Sequence, residues 1–385
     1  MTVNIHIPAP NWHSPIAGII LDLEKLRTLR LRGTVPPYIF FQLKNIFQML
    51  ETLGSARIEG NNTTLADYVE KIIANKISPD ESRVELENIE RAINFIEENT
   101  HHNTKIDRAY ISQLHNIVTH GLGLPPKGEG SRYPGELRRH NVVIAKSNHR
   151  PPSHTALPDA FNDFIAFINR DQKEQDQLLM VAIAHHRFMY IHPFDNGNGR
   201  VGRLLTYAFL IKLGFNVESG RIINPSSVFY TDRDKYYDML TKTDSLSDED
   251  LLAWSEYFLS GLKNQIDKID HLLQRDFTEK KILLPTIKLS LDREQITKLE
   301  HDILSMLIKN EQMTFKSSDL DLFGIETSQK KSYIRKKLQD KKMIQPVEEG
   351  GRVYTINFVN NYLLRGIVST LKDNGFVADF LNNNI

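Results

Sequence analysis

The chain contains no cysteine and carries no net charge, 48 basic residues balancing 48 acidic ones over 385 positions. Without thiols there are no disulfides, no thiolate nucleophile and no cysteine-bound zinc. No apolar run approaches the roughly 20 residues that span a bilayer, and no basic segment followed by an apolar one opens the sequence. Nothing therefore addresses it to a membrane, and the cytoplasm is the expected compartment. The 14 histidines never form His-Glu-x-x-His, which argues against a helical zinc enzyme. Gly-x-x-x-x-Gly-Lys-Ser/Thr is also absent, and with it the phosphate-loop NTPases. No internal repeat or low-complexity tract is visible. What is present is 40% hydrophobic residues, enough for packed cores in two or three domains.

The most informative span is His192-Pro193-Phe194-Asp195-Asn196-Gly197-Asn198-Gly199-Arg200-Val201-Gly202-Arg203. Upstream, Leu178, Leu179, Val181, Ala182, Phe188 and Met189 recur at helical spacing and stop before His192. Downstream, Val201, Leu204, Leu205, Ala208 and Phe209 resume it, so Gly197-Asn198-Gly199 is a loop that opens a second helix. Free N–H groups and the dipole at such a start attract phosphate, and glycine lets an anion reach the backbone. Arg200 and Arg203, three apart, share a face with forked donors for phosphate oxygens. The pattern predicts a triphosphate site. Gly197-x-Gly199-x-x-Gly202 also matches the dinucleotide fingerprint formally, but that motif follows a strand and this one follows a helix. Standing alone, His192 could equally be a helix-terminal histidine satisfied by a carbonyl.

His-Pro-Phe-x-x-Gly-Asn-Gly-Arg-x-x-Arg resembles the signature of the Fic family, whose best-known activity is AMP transfer from ATP to protein hydroxyls. The resemblance covers roughly residues 30 to 245 and implies a mainly helical fold. It implies that His192 is the general base toward a Ser, Thr or Tyr hydroxyl. It likewise implies that Asn198, Gly197 and Gly199 hold the α-phosphate, that Arg200 steadies the pyrophosphate region and Arg203 grips the γ-phosphate, and that Phe194 anchors the loop. The family commonly has Asp or Glu before the first glycine to bind Mg2+, whereas this chain has Asn196. An amide is the weaker ligand for a hard cation, so either metal binding is weakened or a neighbouring carboxylate such as Asp195 takes over.

Upstream, Ser55-Ala56-Arg57-Ile58-Glu59-Gly60-Asn61 resembles the inhibitory helix of Fic proteins that carry their own brake. Ser55 and Glu59 are four apart and share a helical face. The resemblance implies that Glu59 pairs with Arg203 in the place of the γ-phosphate; the plainer alternative is a solvent-facing glutamate at a helix end. An exposed ion pair contributes only about 0 to 1 kcal/mol, whereas breaking a desolvated one costs roughly 3 to 5 kcal/mol, so a working brake must be partly buried.

Between the motifs, Asn141 to Ile144, a polar turn and Arg150-Pro151-Pro152 predict a short hairpin. In the family such a flap pairs with the target, making Val142, Val143 and Ile144 a candidate docking edge; an ordinary surface hairpin is the alternative. Tyr236 and Tyr237 on a following helix resemble the family's segment beside the nucleotide base, and either could stack on adenine.

Residues 281–385 carry 16 Lys and Arg against 13 Asp and Glu, too mild an excess to imply nucleic acid by itself. Helical patterns at 294–309, 315–322 and 327–341, then a turn at Gly350-Gly351 between Ile344–Val347 and Val353–Phe358, look like a winged helix. Its basic third helix makes DNA binding through 327–342 one option and protein contact another.

The expectation is a mainly α chain: an N-terminal region at 1–104 with the inhibitory motif, a Fic-type helical core with a β-hairpin flap at 105–245, a helical connector at 246–280 and a winged-helix domain at 281–385. The expected function is nucleotidyl transfer (protein AMPylation) from ATP, autoinhibited by Glu59, with self-modification and a homodimer as further options. The alternatives are a de-AMPylating hydrolase using Glu59, and a weak catalyst that regulates through the winged helix.

Overall fold

The computed structural model describes residues 5–28, 34–74, 80–125, 127–144, 147, 149–215 and 222–381. Four helices come first: α1 (Pro15–Thr28), α2 (Pro37–Ile58), α3 (Leu65–Ala74) and α4 (Glu81–Asn99). They are followed by α5 (Arg108–Thr119), α6 (Leu157–Ile168), α7 (Gln177–Ile191), α8 (Asn198–Lys212), α9 (Ser226–Tyr230) and α10 (Arg233–Thr243). Side-chain caps fix several starts, Asp80 accepting from the Ser82 N–H and Asp107 from the Tyr110 N–H, which satisfies donors the helix itself leaves unpaired.

Helices α7 and α8 form the centre. α8 is buried from Asn198 through Ile211, and α7 from Leu178 through Phe188, so neither shows the one-sided stripe of a surface helix. Helices α2, α4 and α5 cover α8, while α6 and α11 (Asp248–Leu272) cover α7. The stretch expected as a helical connector is helical and also packs on α7: it buries Leu251, Trp254, Phe258 and Leu262, and the Trp254 indole donates to the Ala182 carbonyl of α7 at 2.6 Å. Its charged residues masked a full apolar face.

Short α12 (Arg275–Phe277), a π-helical turn Thr278–Leu283 and α13 (Leu284–Asp292) lead to α14 (Lys298–Lys309), whose Thr297 and Glu300 cap each other. Then come β1 (Thr314–Lys316), a 3-10 turn Ser317–Phe323, α15 (Ser328–Asp340), β2 (Ile344–Pro346), β3 (Val353–Ile356) and α16 (Leu363–Asp373). The sheet order is β1-β3-β2, all antiparallel, with Phe315 opposite Tyr354 and Gln345 opposite Thr355. The β2–β3 hairpin lies where the turn at Gly350 predicted it. The second helix expected at 315–322 is instead a three-residue strand and a 3-10 turn, because Phe315 enters the sheet and is fully buried.

Among the described residues no helix is long and apolar enough to cross a membrane. At 141–152, where a short hairpin was expected, the described residues carry no strand.

Candidate functional site

Helix α7 ends on His192, whose backbone is left-handed at φ 49° and ψ 64°. A branched-free but Cβ-bearing residue costs roughly 1 to 2 kcal/mol there, and Arg138 offsets it. Its Nε donates to the His192 carbonyl at 2.8 Å, its Nη1 to His140 at 3.0 Å and its Nη2 to Pro152 at 2.5 Å, while its backbone N–H donates to Pro193 at 2.9 Å. One buried guanidinium thus ties both ends of the 140–152 segment to the histidine. Arg138→Ala leaves these buried carbonyls unpaired and is expected to lower stability by about 3 kcal/mol; a shifted urea midpoint at unchanged slope checks this, and Arg138→Lys should recover little.

The loop after His192 closes on itself. Asn198 accepts from the Phe194 N–H and donates to the Phe194 carbonyl, both at 2.9 Å. Gly197 takes φ 76°, where a side chain is disfavoured. Phe194 is buried and stacks on His115 at 3.8 Å and 3°. The His115 Nδ1 accepts from the Gly135 N–H at 2.8 Å, which leaves Nε2–H to donate to the Asn196 carbonyl at 3.1 Å. Burial pushes His115 down to about 4, so it stays neutral and keeps that tautomer. Sequence reasoning passed over His115 and Arg138 because their contacts to Gly135, Asn196 and His192 span 20 to 81 positions.

The two signature arginines separate. Arg203 donates from Nε to the Ser55 Oγ at 2.9 Å, and from Nη2 to the Ser55 carbonyl at 2.9 Å and the Glu59 Oε1 at 2.8 Å. Its Nη1 has no hydrogen-bond partner among the described residues. The Glu59 carboxylate rests on the first turn of α8: a Cβ added to Gly199 would lie 1.9 Å from Glu59 Oε1. Only glycine admits this carboxylate to the helix start. Burial raises the Glu59 pKa, but Arg203, then Arg200, outweigh it and hold the carboxyl below its usual range. Its side chain is 26% exposed, so the pair is partly desolvated.

Arg200 departs from the expected place. It is fully buried, pairs with Glu85 of α4 at 3.2 Å, and donates to the Glu129 and Val118 carbonyls at 2.6 and 3.4 Å. Glu85 accepts in turn from Asn61 at 2.7 Å, two residues beyond Glu59. These bonds make Arg200 a buttress for the 118–130 loop rather than a hand presented to a phosphate.

Asp195 accepts from the Ser131 hydroxyl, the Arg132 N–H at 2.9 Å and the Asn196 N–H at 3.0 Å. Asn196 turns its NH2 to Glu129 and to the Gly130 carbonyl, at 3.3 and 3.2 Å. Among the described residues no cluster of three His, Asp or Glu could hold a metal ion. This donor set does not fit Mg2+, since the Asp195 oxygens already accept three hydrogen bonds and Asn196 offers its donor side.

Of the paired tyrosines, Tyr236 needs correcting: it is fully buried, 2.9 Å from the His185 Nε2 through its hydroxyl. Tyr237 is 39% exposed, and its hydroxyl interacts electrostatically with Glu59 and Arg203. Of the flap residues, Val143 is 71% exposed and Val142 is half-buried, with Ile144 beside it. On α15, Lys331 pairs with Asp321 at 2.6 Å, Lys337 and Lys341 pair with Glu300 at 3.3 and 2.7 Å, and Arg335 lies over Tyr354. Three of the seven basic residues of 327–342 thus pair with two carboxylates, Asp321 and Glu300.

The fold and site define a helical domain that ends one buried helix on a left-handed histidine and opens the next at an anion-accepting glycine loop. Residues 105–210 match the sequence profile of the Fic/DOC family. The protein adenylyltransferase Fic of Nematostella vectensis is 29% identical over 195 residues, covering 49% of this chain and 41% of that protein. That of Culex quinquefasciatus is 30% identical over 191 residues, covering 48% and 35%. The chain thus spans about two fifths or less of the length of these curated relatives. A Fic family protein from Desulfovibrio desulfuricans has the same fold at a TM-score of 0.56 and 17% identity, covering 92% of this chain and 98% of that one. A Fic domain containing signaling protein from Bacteroides thetaiotaomicron aligns at a TM-score of 0.52 and 17% identity, covering 68% and 98%.

Proposed function

We propose that this protein is a nucleotidyltransferase that moves AMP from ATP to a hydroxyl of a protein target, restrained by Glu59. One observation carries the reading: a carboxylate from α2 sits on the glycine start of α8 and on Arg203, the place an anion would take. The likeness to adenylyltransferases over half the chain supports AMP as the transferred group.

In this reading Arg203 binds the terminal phosphate once Glu59 withdraws, its unpartnered Nη1 gaining an acceptor. The loop N–H groups hold the α-phosphate. His192 takes the hydroxyl proton, the hydroxyl oxygen bonds to the α-phosphorus, the bond from that phosphorus to the α–β bridging oxygen breaks, and pyrophosphate leaves. No step is assigned to a metal, for the reason given by Asp195 and Asn196. Tyr237 is the aromatic available to the base, and Arg200 holds the loop in place. Val142 to Ile144, which carry no strand, are a docking edge for an extended target segment. We read the helix, strand, 3-10 turn, helix and two strands of 297–358 as a winged-helix module; the pairing of Lys331, Lys337 and Lys341 with Asp321 and Glu300 favours protein over DNA as its partner.

Mass spectrometry tests the whole. After incubation with ATP, the Glu59→Gly protein should carry one added AMP unit or transfer it to an added protein, and the further change His192→Ala should abolish the product. Absence of any AMP adduct in Glu59→Gly would sink the reading.

A further inference from the structure

The last turn of α2 leads into Glu59, and the C-terminal unit grips that same helix at both ends. Near its start, buried Gln42 uses its side-chain amide as a strand edge would. Its Nε2 donates to the Ile356 carbonyl at 2.9 Å and its Oε1 accepts from the Phe358 N–H at 2.9 Å, both at the exit of β3. One turn earlier, Tyr38 donates its hydroxyl to the Gln312 carbonyl just before β1. At the far end, the Arg57 guanidinium lies over the Phe380 ring, 5.2 Å from its centroid, while its Nη1 donates to the Thr63 carbonyl at 2.9 Å. Phe380 belongs to the 3-10 turn Asp379–Leu381. Helix α3, reached from α2 through Gly60 and Asn61, is held by a forked pair between Glu70 and Arg365 of α16.

These contacts come from separate stretches of the C-terminal unit and converge on one stiff rod. An α-helix transmits displacement along its axis, and helix shifts of about 1 to 2 Å at packed interfaces are a common switching movement. The Glu59–Arg203 contact is 2.8 Å, so a shift of that size breaks it. We infer that the C-terminal unit sets the brake: docked on α2 it seats Glu59 against Arg203, and loosening that docking withdraws Glu59 and admits the nucleotide. The inference rests on the reading of Glu59 given above. It assigns the unit a regulatory contact within the chain, in the form of a coupling between a remote surface and the anion site.

The test measures AMP incorporation from α-labelled ATP in the full chain. The proteins are wild type, Glu59→Gly, Gln42→Leu, Phe380→Ala, and each of the last two combined with Glu59→Gly. Both single C-terminal-contact variants should raise incorporation about fivefold or more, and neither should add to the Glu59→Gly level. Wild-type activity in both, with Glu59→Gly elevated, would overturn the coupling and leave the brake standing. So would a rise that persists undiminished in the Glu59→Gly background, since it would act elsewhere. A flat Glu59→Gly would remove the brake and the coupling with it. Should Gln42→Leu lose its cooperative melting transition, Tyr38→Phe replaces it as the variant at that end and the same outcomes apply.

Discussion

Replacing Glu59 with glycine should raise AMP incorporation from α-labelled ATP about a hundredfold. The carboxylate and a γ-phosphate compete for one guanidinium, and the present occupant is tethered, so it acts at a high effective concentration. The pair is partly desolvated, and uncoupling such a pair costs on the order of 3 kcal/mol, which shifts the nucleotide-competent population by roughly two powers of ten. Glycine removes the carboxylate and leaves room above Gly199. Glu59→Gln keeps a hydrogen-bonding head but no charge, so its activity should fall between the two. Calorimetry offers a second readout: ATP affinity should rise in the same order, glycine above glutamine above wild type. Identical ATP affinity and incorporation in all three proteins would show that Glu59 bears on neither.

The contact behind that prediction was anticipated through the resemblance to Fic proteins that carry an inhibitory helix. The residues alone placed Ser55 and Glu59 one helical turn apart and marked a helix start at the glycine loop before Arg200-x-x-Arg203; a solvent-facing Glu59 fitted that spacing equally well. What stayed hidden depends on separations that no period encodes. Arg138 meets His192, and His115 meets Asn196, across 54 and 81 positions. Arg200 looked equivalent to Arg203 because both sit on one helix face, but Glu85 and the Glu129 carbonyl claim it. Tyr236 and Tyr237 are about 100° apart on their helix, so whichever faces the core is settled by the position of α7, and His185 settles it for Tyr236. The helices that flank the glycine loop followed from 3.6-residue periodicity, whereas β1 has three residues and leaves no alternation to detect.

In the released protein, His192→Ala should cut AMP transfer by roughly 10² to 10⁴ while leaving ATP affinity unchanged, because the imidazole serves the target hydroxyl and not the phosphates. The pH dependence carries the sharper expectation. Burial pushes His192 down to about 4, against the opposing pull of the Met189 carbonyl and of the Glu59 charge. A base must be neutral to accept a proton, and a lowered pKa extends the neutral form toward acid. Transfer by Glu59→Gly should therefore be level from pH 8 to about pH 6 and fall only well below the ordinary histidine value of about 6.5. Removing Glu59 also removes one charge that favoured the imidazolium, so the acid limb moves further down, not up. Both readouts belong on one preparation: rates across pH with saturating ATP, and calorimetric affinities at the two ends of the range to separate nucleotide binding from the chemical step. An acid limb centred near 6.5 would place His192 in open water during the reaction, and unchanged transfer in His192→Ala would take the proton acceptor away from this residue altogether.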